Sequence, residues 1–139
     1  MDSRVNDLSA YRYEKAVGNL SLAKSLFRAA ECGAALNRAY YAAFDAMRAV
    51  NALEGFDSSK HSGVIAHFNQ YHVKTKHFES YTSAVVRKAS MLREKSDYED
   101  FYTPDPDETA ETIELVGQFL QDVGCYLRKC GVSIKRETV

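Results

Sequence analysis

The segment LNRAYYAAFDAMRAV, residues 36–50, carries the clearest helical pattern in the chain. Its apolar side chains recur at spacings of three and four residues, which places them on one face of a helix. The sequence therefore predicts a helix over Ala34–Leu53, ended by Gly55. The inward stripe of this helix is formed by Leu36, Ala39, Tyr40, Ala43, Met47 and Val50.

A long helix also precedes this segment, because apolar residues at helical spacing run from Tyr13 to Ala30. We place this helix at Leu8–Ala30 and its C-terminal stop at Gly33. Only a few residues separate the two helices. So short a connection between long helices implies an antiparallel hairpin.

Three more helical segments are predicted after Gly55. Asp105-Pro106-Asp107-Glu108 is a strong helix start, since it combines an Asp cap, Pro at the first helical position and Glu three residues after the cap. No segment shows sustained period-two alternation, so no sheet is expected. The expected elements are a short helix at Val64–Tyr71, a basic connector at Val73–Phe78, a helix at Glu79–Lys95, an irregular stretch at Ser96–Asp105 and a last helix that includes Leu127.

The length of 139 residues fits a single domain. We therefore predict one all-α domain over residues 1–139, an antiparallel bundle of four to five helices. Its core spans about residues 8–130, and residues 131–139 form a tail that we expect to be frayed.

Composition narrows the classes of partner. The net charge is −1, so any nucleic-acid footprint must be a local patch. No apolar run approaches the roughly 20 residues of a membrane span, and none follows Met1, so neither membrane association nor a secretory signal is expected. The chain has an odd number of cysteines, Cys32, Cys125 and Cys130, and no two of them have CxxC spacing. Both facts argue against a disulfide framework or a zinc site. These features predict a cytoplasmic protein with reduced cysteines.

Three motifs carry a family resemblance. They are Asn37–Phe44 at the start of the second helix, Lys60–Val64 at the start of the short helix, and Leu92–Tyr98 at the end of the fourth. Together, in this order, they resemble the HEPN superfamily, in particular its small stand-alone prokaryotic proteins, over nearly the whole chain. The resemblance implies a helical bundle that dimerises. No cofactor is expected.

The resemblance also implies a function and a partner. Members of this branch often pair with a minimal nucleotidyltransferase in a two-gene toxin–antitoxin or defence module. In many such modules the HEPN protein is a metal-independent ribonuclease toxin. The nucleotidyltransferase neutralises it, in some cases by attaching nucleotide to a tyrosine. By resemblance we therefore expect a homodimer that acts on or around RNA and has a minimal nucleotidyltransferase antitoxin as its partner.

The sequence departs from the family at one position. Active members carry an arginine, four to six spacer residues and then a histidine. Arg93 matches the arginine, but Tyr98, Glu99 and Asp100 stand where the histidine belongs. Only Arg93 carries over, with Tyr98 as a counterpart of the missing histidine or of the modified tyrosine. Three functions stay open: a ribonuclease with a rearranged site, a non-catalytic module that binds RNA, a nucleotide or the partner, and a general helical interaction domain.

Cleavage of RNA through the 2′-hydroxyl needs a base, an acid and a cation. Arg93 can supply the cation, and His61 is the best proton-transfer group because imidazole titrates near neutrality. Asp97 is a second candidate base, whereas Tyr98 is a poor base at neutral pH. Each also has a structural interpretation. Arg93 and Asp97 have the i,i+4 spacing of an ion pair, Tyr98 can lock the following loop onto the bundle, and His61 can simply start a helix.

Candidate residues for RNA or nucleotide binding lie in two places. Arg38 and Tyr41 share a face of the second helix with Asp45, which suits stacking and phosphate pairing or, equally, a polar seam between helices. A basic region further along suits phosphate binding or a solvated surface. It comprises Lys60, Lys74 and Lys76 together with His67, His72 and His77. These histidines recur every five residues, a spacing that does not hold one face of an α-helix, so no metal site is predicted.

Overall fold

The computed structural model describes residues 3–135. In this range the chain forms α1 (Ser3–Arg28), α2 (Cys32–Ala52), α3 (His61–Phe68), a π-helical turn (Asn69–Val73), α4 (Tyr81–Tyr98) and α5 (Pro106–Lys129). No strand occurs among these residues, so the predicted all-α bundle without a sheet is confirmed. Within the same range, no helix has the length and apolarity needed to cross a membrane.

Helix α2 lies at the centre of the bundle and contacts α1, α3, α4 and α5. Small side chains make this possible, because the distance between packed helices is set by the side chains at their contact. Six alanines of α2 are fully buried: Ala35, Ala39, Ala42, Ala43, Ala46 and Ala49. The polar groups of α2 must therefore find partners on its neighbours.

A tight link joins α1 to α2, but the residue that reverses the chain is Ala30 and not Gly33. Ala30 has a left-handed backbone with a φ of 62°, and the amide of Glu31 donates to the carbonyl of Leu26 at 2.9 Å. Gly33 lies in the first turn of α2, where an added Cβ would come 2.7 Å from Oγ of Ser96 in α4. The predicted helix stop at Gly33 is wrong, since this glycine instead permits close approach of α4.

The chain after α3 winds into the π-turn instead of the α-helix predicted over Val64–Tyr71. The amide of Lys74 donates to the carbonyl of Asn69, five residues earlier, at 2.9 Å. Residues five positions apart therefore lie on the same side of the chain here. His67 and His72 lie close together, with ring centroids 6.3 Å apart. The inference that this spacing separates the histidines is wrong for this pair.

Helix α4 begins at Tyr81 and ends at Tyr98, beyond the predicted end at Lys95. Asp97 and Tyr98 consequently belong to the same helix as Arg93. The predicted start of α5 is confirmed, because the side chain of Asp105 accepts a hydrogen bond from the amide of Glu108 at 3.2 Å.

Part of the predicted C-terminal tail packs on the bundle. Gly131 has a φ of 89°, and the amide of Val132 then donates to the carbonyl of Leu127 at 2.9 Å. Val132 is buried, and Ile134 is half-buried against the core. The remaining positions of that tail, 136–139, lie outside the described residues.

Two glycines test the packing of the long helices. A Cβ at Gly124 of α5 would lie 2.6 Å from the hydroxyl oxygen of Tyr13, which donates to the carbonyl of Leu120 at 3.0 Å. A Cβ at Gly18 of α1 would meet nothing within 4 Å. We expect Gly18→Ala to stabilise the protein by about 0.5–1 kcal/mol and Gly124→Ala to destabilise it by roughly 1–3 kcal/mol, measured by urea unfolding. Equal effects would contradict the packing of α1 against α5.

Candidate functional site

Arg93 of α4 lies against the two tyrosines of α2. Its guanidinium carbon is 4.6 Å from the ring centroid of Tyr40 and 5.8 Å from that of Tyr41. A guanidinium over an aromatic face gains electrostatic attraction and is held in one orientation. The Arg93 side chain is only 12% exposed, and its Nε is buried without a hydrogen-bond partner among residues 3–135. Arg93 is therefore fixed in place but not saturated with hydrogen bonds.

His61, the first residue of α3, reaches the same tyrosine from another side. Its Nδ1 lies 3.1 Å from the hydroxyl of Tyr40, and its ring centroid is 4.2 Å from that of Phe44. Burial raises the pKa of Tyr40, although the nearby charge of Arg93 opposes this. The phenol is thus protonated at neutral pH and able to donate to Nδ1. Nε2 of His61 has no hydrogen-bond partner among the described residues.

Tyr40 is therefore the side chain that brings two sequence-predicted residues together. Arg93 stacks on its ring and His61 is bonded to its hydroxyl. Tyr40 itself is almost completely buried. Sequence reasoning assigned Tyr40 only to the core stripe and gave the functional role to Tyr41. The sequence did carry a signal for this role, namely a tyrosine at a core position. A buried phenol needs a hydrogen-bond partner, so a polar neighbour of Tyr40 could have been expected.

Asp97 is held beside Arg93 by two contacts. Its carboxylate lies 3.7 Å from Nη1 of Arg93 and accepts a hydrogen bond from Nδ2 of Asn37 at 3.1 Å. The i,i+4 ion pair that the sequence indicated is present, but it is long. Tyr98, the next residue, is 75% exposed. Tyr98 therefore does not lock the following loop onto the bundle.

Arg38 and Tyr41 contact different neighbouring helices. Nη1 of Arg38 reaches Oδ1 of Asn19 at 3.5 Å, and Nδ2 of the same Asn19 donates to Asp45 at 3.0 Å. Burial raises the pKa of Asp45, partly offset by the charge of Lys15 and the bond from Asn19. Arg38 and Asp45 thus belong to a polar seam between α1 and α2. Tyr41 instead packs with the ring of His61, whose centroid is 5.9 Å away.

The predicted basic region is divided in two. Lys60 is exposed and precedes His61, so it lies beside the Arg93–His61 site. Lys74 and Lys76 are also exposed but follow the π-turn. The thirteen residues of α3 and the π-turn separate these ends by roughly 20 Å at a helical rise of 1.5 Å per residue. Lys60 can act with the site, whereas Lys74 and Lys76 lie near the opposite end of this helical rod.

The arrangement unites a fixed cation with a proton-transfer group. A guanidinium can bind a phosphate oxygen through a charge-assisted hydrogen bond. An imidazole with one free nitrogen can give or take a proton near neutral pH. These are the groups that displacement at a phosphodiester requires. The site therefore suits a phosphate-containing ligand.

Comparison with known proteins identifies relatives of this chain. A family model described as HEPN domain matches residues 9–126. A curated protein of Methanocaldococcus jannaschii named "Putative toxin" is 38% identical over 110 residues, which cover 78% of this chain and 80% of that protein. A curated "UPF0332 protein" of Thermotoga maritima is 30% identical over 101 residues, which cover 73% of this chain and 76% of that protein. The family match includes Tyr40, His61 and Arg93.

Replacement of Arg93 should reveal its contact with the tyrosines. We expect Arg93→Ala to destabilise the protein by about 0.5–2 kcal/mol yet leave it folded at room temperature. Arg87 on the same helix is exposed, and Arg87→Ala should change the free energy of unfolding by no more than about 0.5 kcal/mol. Urea unfolding followed by circular dichroism measures both. The stacked geometry would be refuted by an Arg93→Ala effect no larger than that of Arg87→Ala.

Proposed function

We propose that this chain, which belongs to the HEPN domain family, is a toxin-type protein that cleaves RNA at the Arg93–His61 site. The observation that supports the proposal most is the convergence of Arg93 and His61 on Tyr40. The name of the M. jannaschii relative, "Putative toxin", agrees with this class of function.

Arg93 would bind the scissile phosphate. Its guanidinium is already oriented by the ring of Tyr40, so little conformational entropy remains to be lost on binding. Its Nε is buried, so a phosphate oxygen would bind the guanidinium through its terminal nitrogens, beside Asp97. The same contact would stabilise the charge that develops as the phosphorus becomes pentavalent.

His61 would transfer the proton. The 2′-hydroxyl oxygen attacks the adjacent phosphorus, the bond to the 5′-oxygen breaks, and the products are a 2′,3′-cyclic phosphate and a 5′-hydroxyl. One base removes the 2′ proton, and one acid supplies a proton to the leaving oxygen. Nε2 of His61 is available for one of these roles. The second would fall to water, to Asp97 or to the other copy in a homodimer.

The sequence suggested Tyr98 as the counterpart of the missing family histidine. In this proposal His61 takes that role instead. Tyr98 is 75% exposed, whereas His61 is bonded to the tyrosine on which Arg93 stacks. Of the residues considered for RNA binding, Tyr41 and Lys60 adjoin this site.

A second function, binding to a partner without catalysis, is favoured by the end of α4. Tyr98 is 75% exposed, and the ring of Phe101 is completely exposed although its backbone has a φ of 61°. Exposed aromatic side chains often anchor protein interfaces. We assign this surface to the homodimer or to a minimal nucleotidyltransferase, with Tyr98 as the acceptor of nucleotide.

Cleavage of RNA tests the first function. Purified protein is incubated with end-labelled total RNA and tRNA in the presence of a metal chelator. We expect cleavage to 2′,3′-cyclic phosphate ends, reduced about 10²–10³-fold in Arg93→Ala and about 10²–10⁴-fold in His61→Gln. Arg87→Ala, on the same helix but exposed, should cleave normally. Absence of cleavage by folded wild-type protein, or cleavage that survives both site variants, would reject the ribonuclease.

Nucleotide transfer tests the second function. The protein is incubated with ATP and a minimal nucleotidyltransferase, and its mass is measured. We expect one added nucleotide per chain, lost in Tyr98→Phe. Tyr71→Phe is the matched control, since Tyr71 is also exposed, at 46%. Modification that persists in Tyr98→Phe would exclude Tyr98 as the acceptor.

A further inference from the structure

Three side chains converge where α2 ends and the π-turn begins. Nε2 of His67 lies 3.2 Å from Oε2 of Glu54, and Nε2 of His72 contacts the other carboxylate oxygen of Glu54. One ligand-type atom from each residue lies within 4.8 Å of the others. His72 is only 3% exposed, so the cluster extends from the surface into the core.

The π-turn creates this convergence. In a regular α-helix, residues five positions apart point about 140° away from one another. The hydrogen bond from Lys74 to Asn69 spans five residues and absorbs that difference. The ring of His67 is also stacked on Phe56, with centroids 3.8 Å apart and planes 9° apart. Stacking fixes the orientation of this imidazole toward Glu54.

We propose that Glu54, His67 and His72 form a Zn²⁺ site with a fourth position for water. Two imidazole nitrogens and one carboxylate are a ligand set that zinc commonly takes, with three protein ligands. A tetrahedral ion with bonds of about 2.0–2.1 Å holds its ligand atoms about 3.3 Å apart. The separation of 3.2 Å between Nε2 of His67 and Oε2 of Glu54 is close to this distance, and the shorter contact of His72 with Glu54 would lengthen when the ion binds. The turn that follows α2 would thereby be tied to α3 and the π-turn.

The surroundings of His72 fit the role of a zinc ligand. Zinc-binding histidines usually donate from the second ring nitrogen to another group, which fixes the tautomer. Nδ1 of His72 lies 3.2 Å from Nδ1 of His77, and the hydroxyl of Tyr126 is 3.4 Å from the same nitrogen of His77. With Nε2 on the ion, His72 would carry its proton on Nδ1 and donate to His77. His77 would act as a positioning residue that does not touch the metal.

The zinc site is independent of the proposed ribonuclease. Tyr40, which joins Arg93 and His61, precedes the end of α2 at Ala52 by twelve residues, a separation of roughly 18 Å along a helix. Zinc bound at Glu54 is therefore not required for cleavage at Arg93.

Binding of Zn²⁺ itself is the test. Untagged full-length protein, freed of metal with a chelator, is titrated with ZnCl₂ in a calorimeter, and Co²⁺ is used in parallel for its visible absorption. We expect one Zn²⁺ per chain and a higher midpoint of thermal unfolding. His67→Gln and Glu54→Gln should abolish both effects, and His77→Gln should weaken binding by about 10- to 100-fold.

A histidine outside the cluster supplies the control. His61→Gln should bind Zn²⁺ as the wild type does, because His61 contacts Tyr40 and Phe44 instead. If wild type binds no Zn²⁺, or if His61→Gln loses as much binding as His67→Gln, the site is refuted. Circular dichroism of the metal-free variants separates loss of a ligand from loss of folding. If folded His67→Gln binds Zn²⁺ as tightly as the wild type does, the proposal is also overturned.

Discussion

The burial of α2 on nearly every side is the constraint on which the structure depends. Its alanines allow four helices to approach it, and two of its polar side chains, Asp45 and Asn51, are buried as a result. Buried polar groups are almost always hydrogen-bonded. Asn51 of α2 accordingly donates to the carbonyl of Val64, and the phenol of Tyr40 pairs with His61. Two polar contacts thus hold the start of α3 against α2. One of them, between Tyr40 and His61, belongs to the candidate catalytic site.

Local signals in the sequence were sufficient for most of the fold. Helical spacing identified α1, α2, α4 and α5, and the Asp105-Pro106 cap located the start of α5 because capping depends on adjacent residues only. The reversal at Ala30 and the π-turn could not be predicted in this way. Both break a residue-level preference, for glycine in left-handed backbone and for α-helical hydrogen bonds, and tertiary packing decides such conflicts.

The candidate site was predictable in its members but not in its geometry. Arg93 and His61 could be named from their chemistry and from family resemblance, yet 32 positions separate them in the sequence. Their meeting depends on the rotation of α2, which places Tyr40 between them. On the same helix, Arg38 contacts Asn19 of α1, whereas Tyr41 contacts His61 of α3. Neighbouring positions on one predicted helix face therefore serve different surfaces, because packing against several helices divides the face.

The π-turn also has a consequence for the number of residues in the segment Asn69–Val73. A π-turn corresponds to an α-helix that has gained one residue, and the added residue is stored as a wider loop of backbone. Removal of one residue between His67 and His72 would let the helix close in the ordinary way. The two histidines would then stand four positions apart, about 40° from one another around an α-helix. A homologue that is one residue shorter here would therefore keep the two histidines on one side of the chain.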